Sequence, residues 1–231
     1  MNRIWNLTAF EDRTALLDED GESMTYGQLW TEGDELAKAV GDRCLAFILC
    51  RNSIGSVLGY TAFLNHGIVP VMVNSHLEGT LLSNLLEAYS PEYLWLPADQ
   101  EAQFQGMKKT YDARDYVLLK TGFTKHYPLH EDLALLITTS GSTGSPKLVR
   151  QSYTNILDNA QAIAEYLKLD ETERPITTLP MNYVYGLSII NSHFLVGATL
   201  LLTDKGLMQK EFWQFFREAG ATSFGGVPYT Y

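Results

Sequence analysis

Leu135-Leu136-Ile137-Thr138-Thr139-Ser140-Gly141-Ser142-Thr143-Gly144-Ser145-Pro146-Lys147 begins as an apolar run of strand length and ends as a polar loop. A buried strand that hands the chain to hydroxyls and glycines delivers that loop to one end of a sheet. Gly141 and Gly144 allow the backbone to approach a ligand closely. Ser140, Ser142, Thr143 and Ser145 add hydroxyl donors, and Lys147 adds a positive charge. Backbone N–H groups, hydroxyls and one ammonium together suit a polyphosphate. The spacing is not that of the common nucleotide loop, which needs four residues between its glycines and then Gly-Lys-Ser/Thr. It is not the Gly-x-Ser-x-Gly nucleophile elbow either. A bare surface turn rich in small residues is the plain alternative.

On either side of this stretch, short apolar runs alternate with helical patterns. Residues 14–18 and 22–25 flank Glu19-Asp20-Gly21, a hairpin signal. Thr25 with Gln28 forms a capping box that opens a helix toward Val40. A strand is expected at 45–49, then a helix capped by Asn52 or Ser53 and running to about His66, with Val57, Leu58, Ala62, Phe63 and Leu64 as its apolar face. Further strands are expected at 69–73, 93–96, 116–119 and 133–138, with a helix at 78–89. Residues 97–111 are polar and poorly periodic, and read as a loop or insertion. After the central loop, Thr154 or Asn155 is expected to cap a helix to about Leu167. A strand at 176–179, a helix at 185–195, a strand at 199–202, a helix at 209–219 and a short strand near Ser223 follow. The alternation predicts an α/β fold, a mostly parallel sheet flanked by helices on both faces.

The 231 residues are 45% hydrophobic, enough for a sizeable core, and the formal net charge of −10 argues against general nucleic-acid affinity. Cys44 and Cys50, the two cysteines, bound one apolar segment and read as reduced, buried thiols of a cytosolic protein. No Cys/His cluster has metal spacing. Residues 175–203 carry no Asp, Glu, Lys or Arg, but Pro180, Asn182, Gly186, Asn191, His193 and Gly197 punctuate them, so buried helix and strand are expected rather than a membrane span. His66, His76, His126, His130 and His193 are isolated in sequence and read as surface or packed residues.

The string Thr-Ser-Gly-Ser-Thr-Gly-x-Pro-Lys at 139–147 closely resembles the phosphate loop of the adenylate-forming superfamily, which includes acyl-CoA synthetases, adenylation domains of peptide synthetases, and luciferases. The resemblance implies that Thr139, Ser140, Gly141, Ser142, Thr143, Gly144 and Lys147 hold the phosphates of ATP while a carboxylate attacks the α-phosphorus. Leu148 stands where glycine is usual, and Thr138 where an aromatic is usual. Met24-Thr25-Tyr26-Gly27-Gln28-Leu29 and Leu64-Asn65-His66-Gly67-Ile68-Val69-Pro70-Val71 resemble structural steps of the same family. Leu179-Pro180-Met181-Asn182-Tyr183-Val184-Tyr185-Gly186 resembles its Leu-Pro-x-x-His-x-x-Gly segment, whose ring helps position the substrate carboxylate. Tyr183 takes the His position and can donate a neutral hydrogen bond. A Tyr packed under the loop is the alternative. Gly225 and Gly226 resemble a segment whose backbone lines the acyl pocket, and read equally as an ordinary strand-to-helix turn.

The resemblance implies an acid–thiol ligase that forms an acyl-adenylate and passes the acyl group to CoA or a carrier-protein thiol. On that pattern the chain is the N-terminal AMP-binding portion. The acidic Mg²⁺ segment, the ribose-binding aspartate, the hinge and the lysine-bearing C-terminal domain are expected downstream, and residues 1–231 alone are expected to be inactive. Gly186 stands where amino-acid-activating relatives carry an aspartate for the substrate ammonium, so a fatty, aryl or other acid without an α-amino group is expected. A non-catalytic nucleotide-binding or protein-interaction module on the same fold is the competing reading. A Ser/Lys amidohydrolase is a third, without a supporting lysine–serine spacing.

Overall fold

The structure is a computed structural model, and residues 4–138 and 148–228 are described. In chain order the elements are β1 (Thr14–Asp18), β2 (Ser23–Thr25), α1 (Tyr26–Val40), β3 (Leu45–Cys50), α2 (Ile54–Asn65), β4 (Val69–Asn74), α3 (Gly79–Tyr89), β5 (Tyr93–Pro97), β6 (Lys108–Ala113) and β7 (Tyr116–Lys120). They continue with β8 (Leu133–Thr138), β9 (Leu148–Ser152), α4 (Tyr153–Leu167), β10 (Pro175–Ile176), α5 (Val184–Leu195), β11 (Leu200–Leu202), α6 (Lys210–Glu218) and β12 (Ser223–Phe224).

The expected α/β fold with helices on both faces is present, but the strands divide into two sheets. One has seven strands in the order β6-β7-β5-β3-β4-β8-β9, and the other has five in the order β12-β10-β11-β1-β2. In the first, β5, β3, β4 and β8 run parallel, while β6, β7 and β9 are antiparallel additions at the edges. In the second, β2 alone is antiparallel to its neighbour. Side-chain alternation assigns the faces. Ala46, Ile48 and Cys50 of β3 enter a central core, whereas Leu45, Phe47 and Leu49 enter an outer one with Leu85 and Leu86 of α3. Likewise Leu200 and Leu202 of β11 face the central core, and Leu201 faces Phe212 of α6. The layers are therefore α3, the seven-stranded sheet, a central layer holding α1, α2 and α5, the five-stranded sheet, and α6.

Helix α2 is the axis of this arrangement. All 12 of its residues are buried, so the amphipathic face expected for it does not exist: with sheets on both sides, no side is left for water. Trp5 and Tyr26 tie the ends of the chain together around it. Trp5 Nε1 donates to the Asn191 carbonyl at 3.2 Å, and Tyr26 Oη donates to the Ala198 carbonyl at 2.6 Å. Cys44 and Cys50 are free and buried, and burial pushes both thiols up, Cys44 to about 12. Among the described residues no helix is long and apolar enough to cross a membrane.

Several expectations are corrected. Residues 97–111 hold a 3-10 turn (Ala98–Gln103) and the start of β6; β6 is an exposed edge strand, so no apolar alternation marks it. β9 was hidden for the same reason, with none of its residues buried. The cap of α4 is Ser152, not Thr154 or Asn155. Asn155 is instead the third helical residue and returns the bond to Ser152, completing a capping box like that of Thr25 and Gln28. The strand expected at 176–179 shortens to Pro175–Ile176, because the Thr177 hydroxyl donates to the Thr203 carbonyl (3.0 Å) and accepts from its N–H (2.9 Å) in place of the ladder.

Candidate functional site

The connections out of β3 and β4 go to opposite faces of the seven-stranded sheet, β3 into α2 and β4 into α3. Such a switch point opens a crevice beyond the carboxyl ends of the two strands. The crevice is present as a cavity of about 180 Å³ lined by Arg51 and Asn52 after β3, by Asn74 at the end of β4 and by His76 beyond it. The carboxyl ends of β10 and β11 reach it from the other sheet, bringing Thr178 and Asp204. Its wall is tied across the sheets where the Asn52 N–H donates to Asp204 Oδ1 at 3.1 Å, and within the seven-stranded side Arg51 pairs with Asp99 at 3.0 Å. Arg51 Nε, Asn52 Oδ1, Ser53 Oγ and Ser75 Oγ are buried without partners among the described residues. Buried polar groups in folded proteins are otherwise almost always bonded, so this edge is built to meet polar atoms.

β8 runs parallel to β4, with Val71 beside Leu136 and Met72 beside Ile137, so Thr138 ends at the same edge. Thr138 is in turn the register partner of Leu148 in β9. The strand that the opening stretch predicts is thus in place, and the chain leaves and re-enters the sheet beside the crevice. Thr139, Ser140, Gly141, Ser142, Thr143, Gly144 and Lys147 lie outside the described residues.

The second group of expected residues sits at the start of α5. Tyr183 precedes the helix with its N–H bonded to the Pro180 carbonyl at 3.0 Å, and its ring is 45% exposed, so it is not packed away. Gly186 is buried. A Cβ there would stand 2.3 Å from the Pro180 carbonyl oxygen and 3.0 Å from that of Leu179. The glycine is thus required by the close approach of α5 to the Leu-Pro segment, and an aspartate has no room. Gly225 is brought to the same place: the Thr178 hydroxyl donates to its carbonyl, and a Cβ on it would meet Ile189 at 2.5 Å. Gly226 follows it in the irregular stretch after β12. Gly225 therefore lies against Tyr185 and Ile189 of α5, the helix that Tyr183 precedes and Gly186 belongs to, although the two segments lie far apart in sequence.

Beside this junction lies a larger cavity of about 610 Å³ between α4, α5 and β12. Ile163, Tyr166, Tyr185, Ile189, His193 and Gly225 are among its lining residues. His193 is 4% exposed; its Nδ1 lies 2.8 Å from the Ile189 carbonyl, and burial lowers its pKa. Sequence reasoning missed both cavities' other residues. Arg51, Asn74 and His76 become neighbours only through strand order, and the sole sequence signal available was their position just after apolar runs. His193 gave no signal beyond its place in an uncharged stretch.

Comparison with known proteins gives a consistent picture. The family described as AMP-binding enzyme matches residues 5–231. The 2-succinylbenzoate–CoA ligase of Oceanobacillus iheyensis is 26% identical over 209 residues, covering 86% of this chain and 43% of the relative. The acyl-CoA synthetase ALT10 of Alternaria alternata is 35% identical over 100 residues, 42% of this chain and 17% of its own length. The chain thus spans less than half the length of these curated relatives. Among solved structures, the o-succinylbenzoate CoA synthetase of Bacillus subtilis in complex with the acyl-adenylate intermediate aligns with a TM-score of 0.79 at 22% identity, over 98% of this chain and 62% of that one. The same enzyme in complex with ATP and magnesium ion aligns at 0.77, at 21% identity and over 99% and 64% of the two chains. At this identity the alignments establish the shared fold.

Proposed function

The chain belongs to the AMP-binding enzyme family, and on that premise we propose that it is the N-terminal part of an AMP-forming carboxylate ligase. The intact protein joins ATP and a carboxylic acid into an acyl-adenylate, and then transfers the acyl group to a thiol, that of CoA or of a carrier protein. The observation that carries the reading is the contact of Thr178 with Gly225, which packs against Tyr185 and Ile189 of α5, the helix whose start holds Tyr183 and Gly186 close to the Leu-Pro segment.

In this reading Thr139, Ser140, Gly141, Ser142, Thr143, Gly144 and Lys147 hold the ATP phosphates, backbone N–H groups and hydroxyls donating and the Lys147 ammonium offsetting charge. The polar groups at the carboxyl edge that have no partner among the described residues fit a ligand as polar as a nucleotide. Tyr183, exposed at the start of α5, donates to the substrate carboxylate, and Gly225 and Gly226 give the acyl portion access to backbone. Among the described residues no group of His, Cys, Asp or Glu is gathered to hold a metal ion, so Mg²⁺ finds no ligand set in them. The substrate is an acid without an α-amino group, since no carboxylate stands or fits at position 186. The cysteines are consistent with a cytosolic setting.

ATP–pyrophosphate exchange in the intact protein tests this. Exchange driven by an aryl or acyl acid supports the ligase, and its absence with every acid in a broad panel refutes it. Lys147→Ala is expected to weaken ATP use by about 1.5–3 kcal/mol, the range for hydrogen bonds to charged groups. Unchanged ATP kinetics in that variant would remove Lys147 from the phosphate site.

A further inference from the structure

The cavity beside Tyr185 and Gly225 is apolar over much of its wall, with Ile163 and Leu167 of α4 facing Ile189 of α5. Its polar lining includes Glu173, Thr222 and His193. These three belong together: Glu173 Oε2 accepts from the Thr222 hydroxyl at 2.5 Å, and the Glu173 charge acts on His193. A backbone carbonyl only accepts, so the 2.8 Å contact with Ile189 places the His193 proton on Nδ1. Nε2 is then a bare acceptor, and it has no partner among the described residues. Burial lowers the pKa of this imidazole, so it carries no charge at neutral pH. Among the described residues no Lys or Arg lines the cavity. Among the described residues the polar portion therefore holds one anion, hydroxyls and an acceptor nitrogen, with no cation.

We infer that Glu173 makes this site select against acids that carry a second carboxylate. Its substrate class is then a monocarboxylic acid whose far end is apolar or bears a hydrogen-bond donor such as a hydroxyl. A second carboxylate entering the cavity meets a like charge and leaves its own lost hydration unreplaced, whereas a hydroxyl can donate to Glu173 or His193. The inference rests on the proposed function, with this cavity taken as the acyl site because Gly225 lines it.

The test is a matched pair, 4-phenylbutanoate and its para-carboxy analogue, titrated into the 231-residue chain and followed by protein-observed NMR. The monocarboxylate is expected to bind roughly tenfold or more tightly, the effect of a like charge brought near a partly screened carboxylate. Glu173→Gln keeps an acceptor for Thr222 while removing the charge. It is expected to shrink the preference to about threefold or less, a gain of under 1 kcal/mol left for the monoacid. Equal affinities in the wild type, or an undiminished preference in Glu173→Gln, would overturn the role of Glu173 while leaving the acyl site standing. Binding of neither acid would overturn both together. Should the variant fail to fold, the wild-type ratio still decides whether the second carboxylate is rejected.

Discussion

At the scale of single residues, α2 shows how little room the fold leaves. A Cβ on Gly59 would stand 2.2 Å from Trp95 Cδ1, and one on Gly55 would stand 2.5 Å from Asp115 Oδ1. The indole is held there by its own bond to the Gly55 carbonyl at 2.7 Å, so it cannot swing away freely. Gly59→Ala is therefore expected to destabilise the protein by about 1–3 kcal/mol or more in urea unfolding. Gly122→Ala, whose Cβ meets nothing within 4 Å, should stay within about 0.5 kcal/mol of wild type. His193 makes a second prediction. Its folded pKa lies below the ordinary 6.5, so as pH falls through 6.5 the unfolded chain takes up a proton that the native state refuses. Stability should decline from pH 6.5 toward the lower folded value, and His193→Gln should flatten that part of the profile; an unchanged slope would assign the titration elsewhere. Neither residue's role was legible in the sequence. Gly186 illustrates why: the sequence shows only that no acid stands there, whereas the close approach of α5 to the Leu179 and Pro180 carbonyls, which leaves an acid no room, appears only in space.

At the scale of elements, the sequence was readable wherever burial was one-sided or complete. α1 and its capping box, β3, β4, β5 and β8 appear where the apolar runs and caps put them. The elements that escaped are edge strands, β6 and β9, whose solvated side chains carry no alternation to detect. Missing β9 also moved the expected cap of α4 forward, since Ser152 belongs to the strand's end and the helix's start at once. The Ser152 hydroxyl accepts from the Asn155 N–H at 3.1 Å, and Asn155 Oδ1 accepts from the Ser152 N–H at 3.2 Å. Ser152→Ala should thus cost about 1 kcal/mol of stability, and Ser152→Thr markedly less. Thermal unfolding of the two variants side by side checks this. Equal losses in both would point to packing at position 152 rather than to the cap.

At the scale of the whole molecule, the two sheets share a single central layer. Trp5 packs edge-on against both Tyr60 and Phe194, with ring centroids 5.6 and 5.9 Å apart, so α2, α5 and the N-terminal segment form one aromatic cluster. Trp5→Ala is expected to lose about 3–5 kcal/mol. Because neither sheet can shed α2 without exposing it, wild-type unfolding should be one transition, with tryptophan fluorescence and far-UV circular dichroism coinciding. Separated midpoints would mean that the sheets unfold independently. The order of the five-stranded sheet was beyond the sequence, because pairings such as that of Leu16 with Leu200 join segments far apart along the chain. That one pairing sets a clock during synthesis. At about 5–20 residues per second, β1 waits roughly ten to forty seconds for β11 to leave the ribosome. Through that interval α2, which has no polar side to turn outward, has only half of its cover. The nascent chain is thus at its most adhesive just before β11 emerges, and chains stalled short of Leu200 should be held by chaperones and cut by proteases near α2, while chains extended past β12 resist.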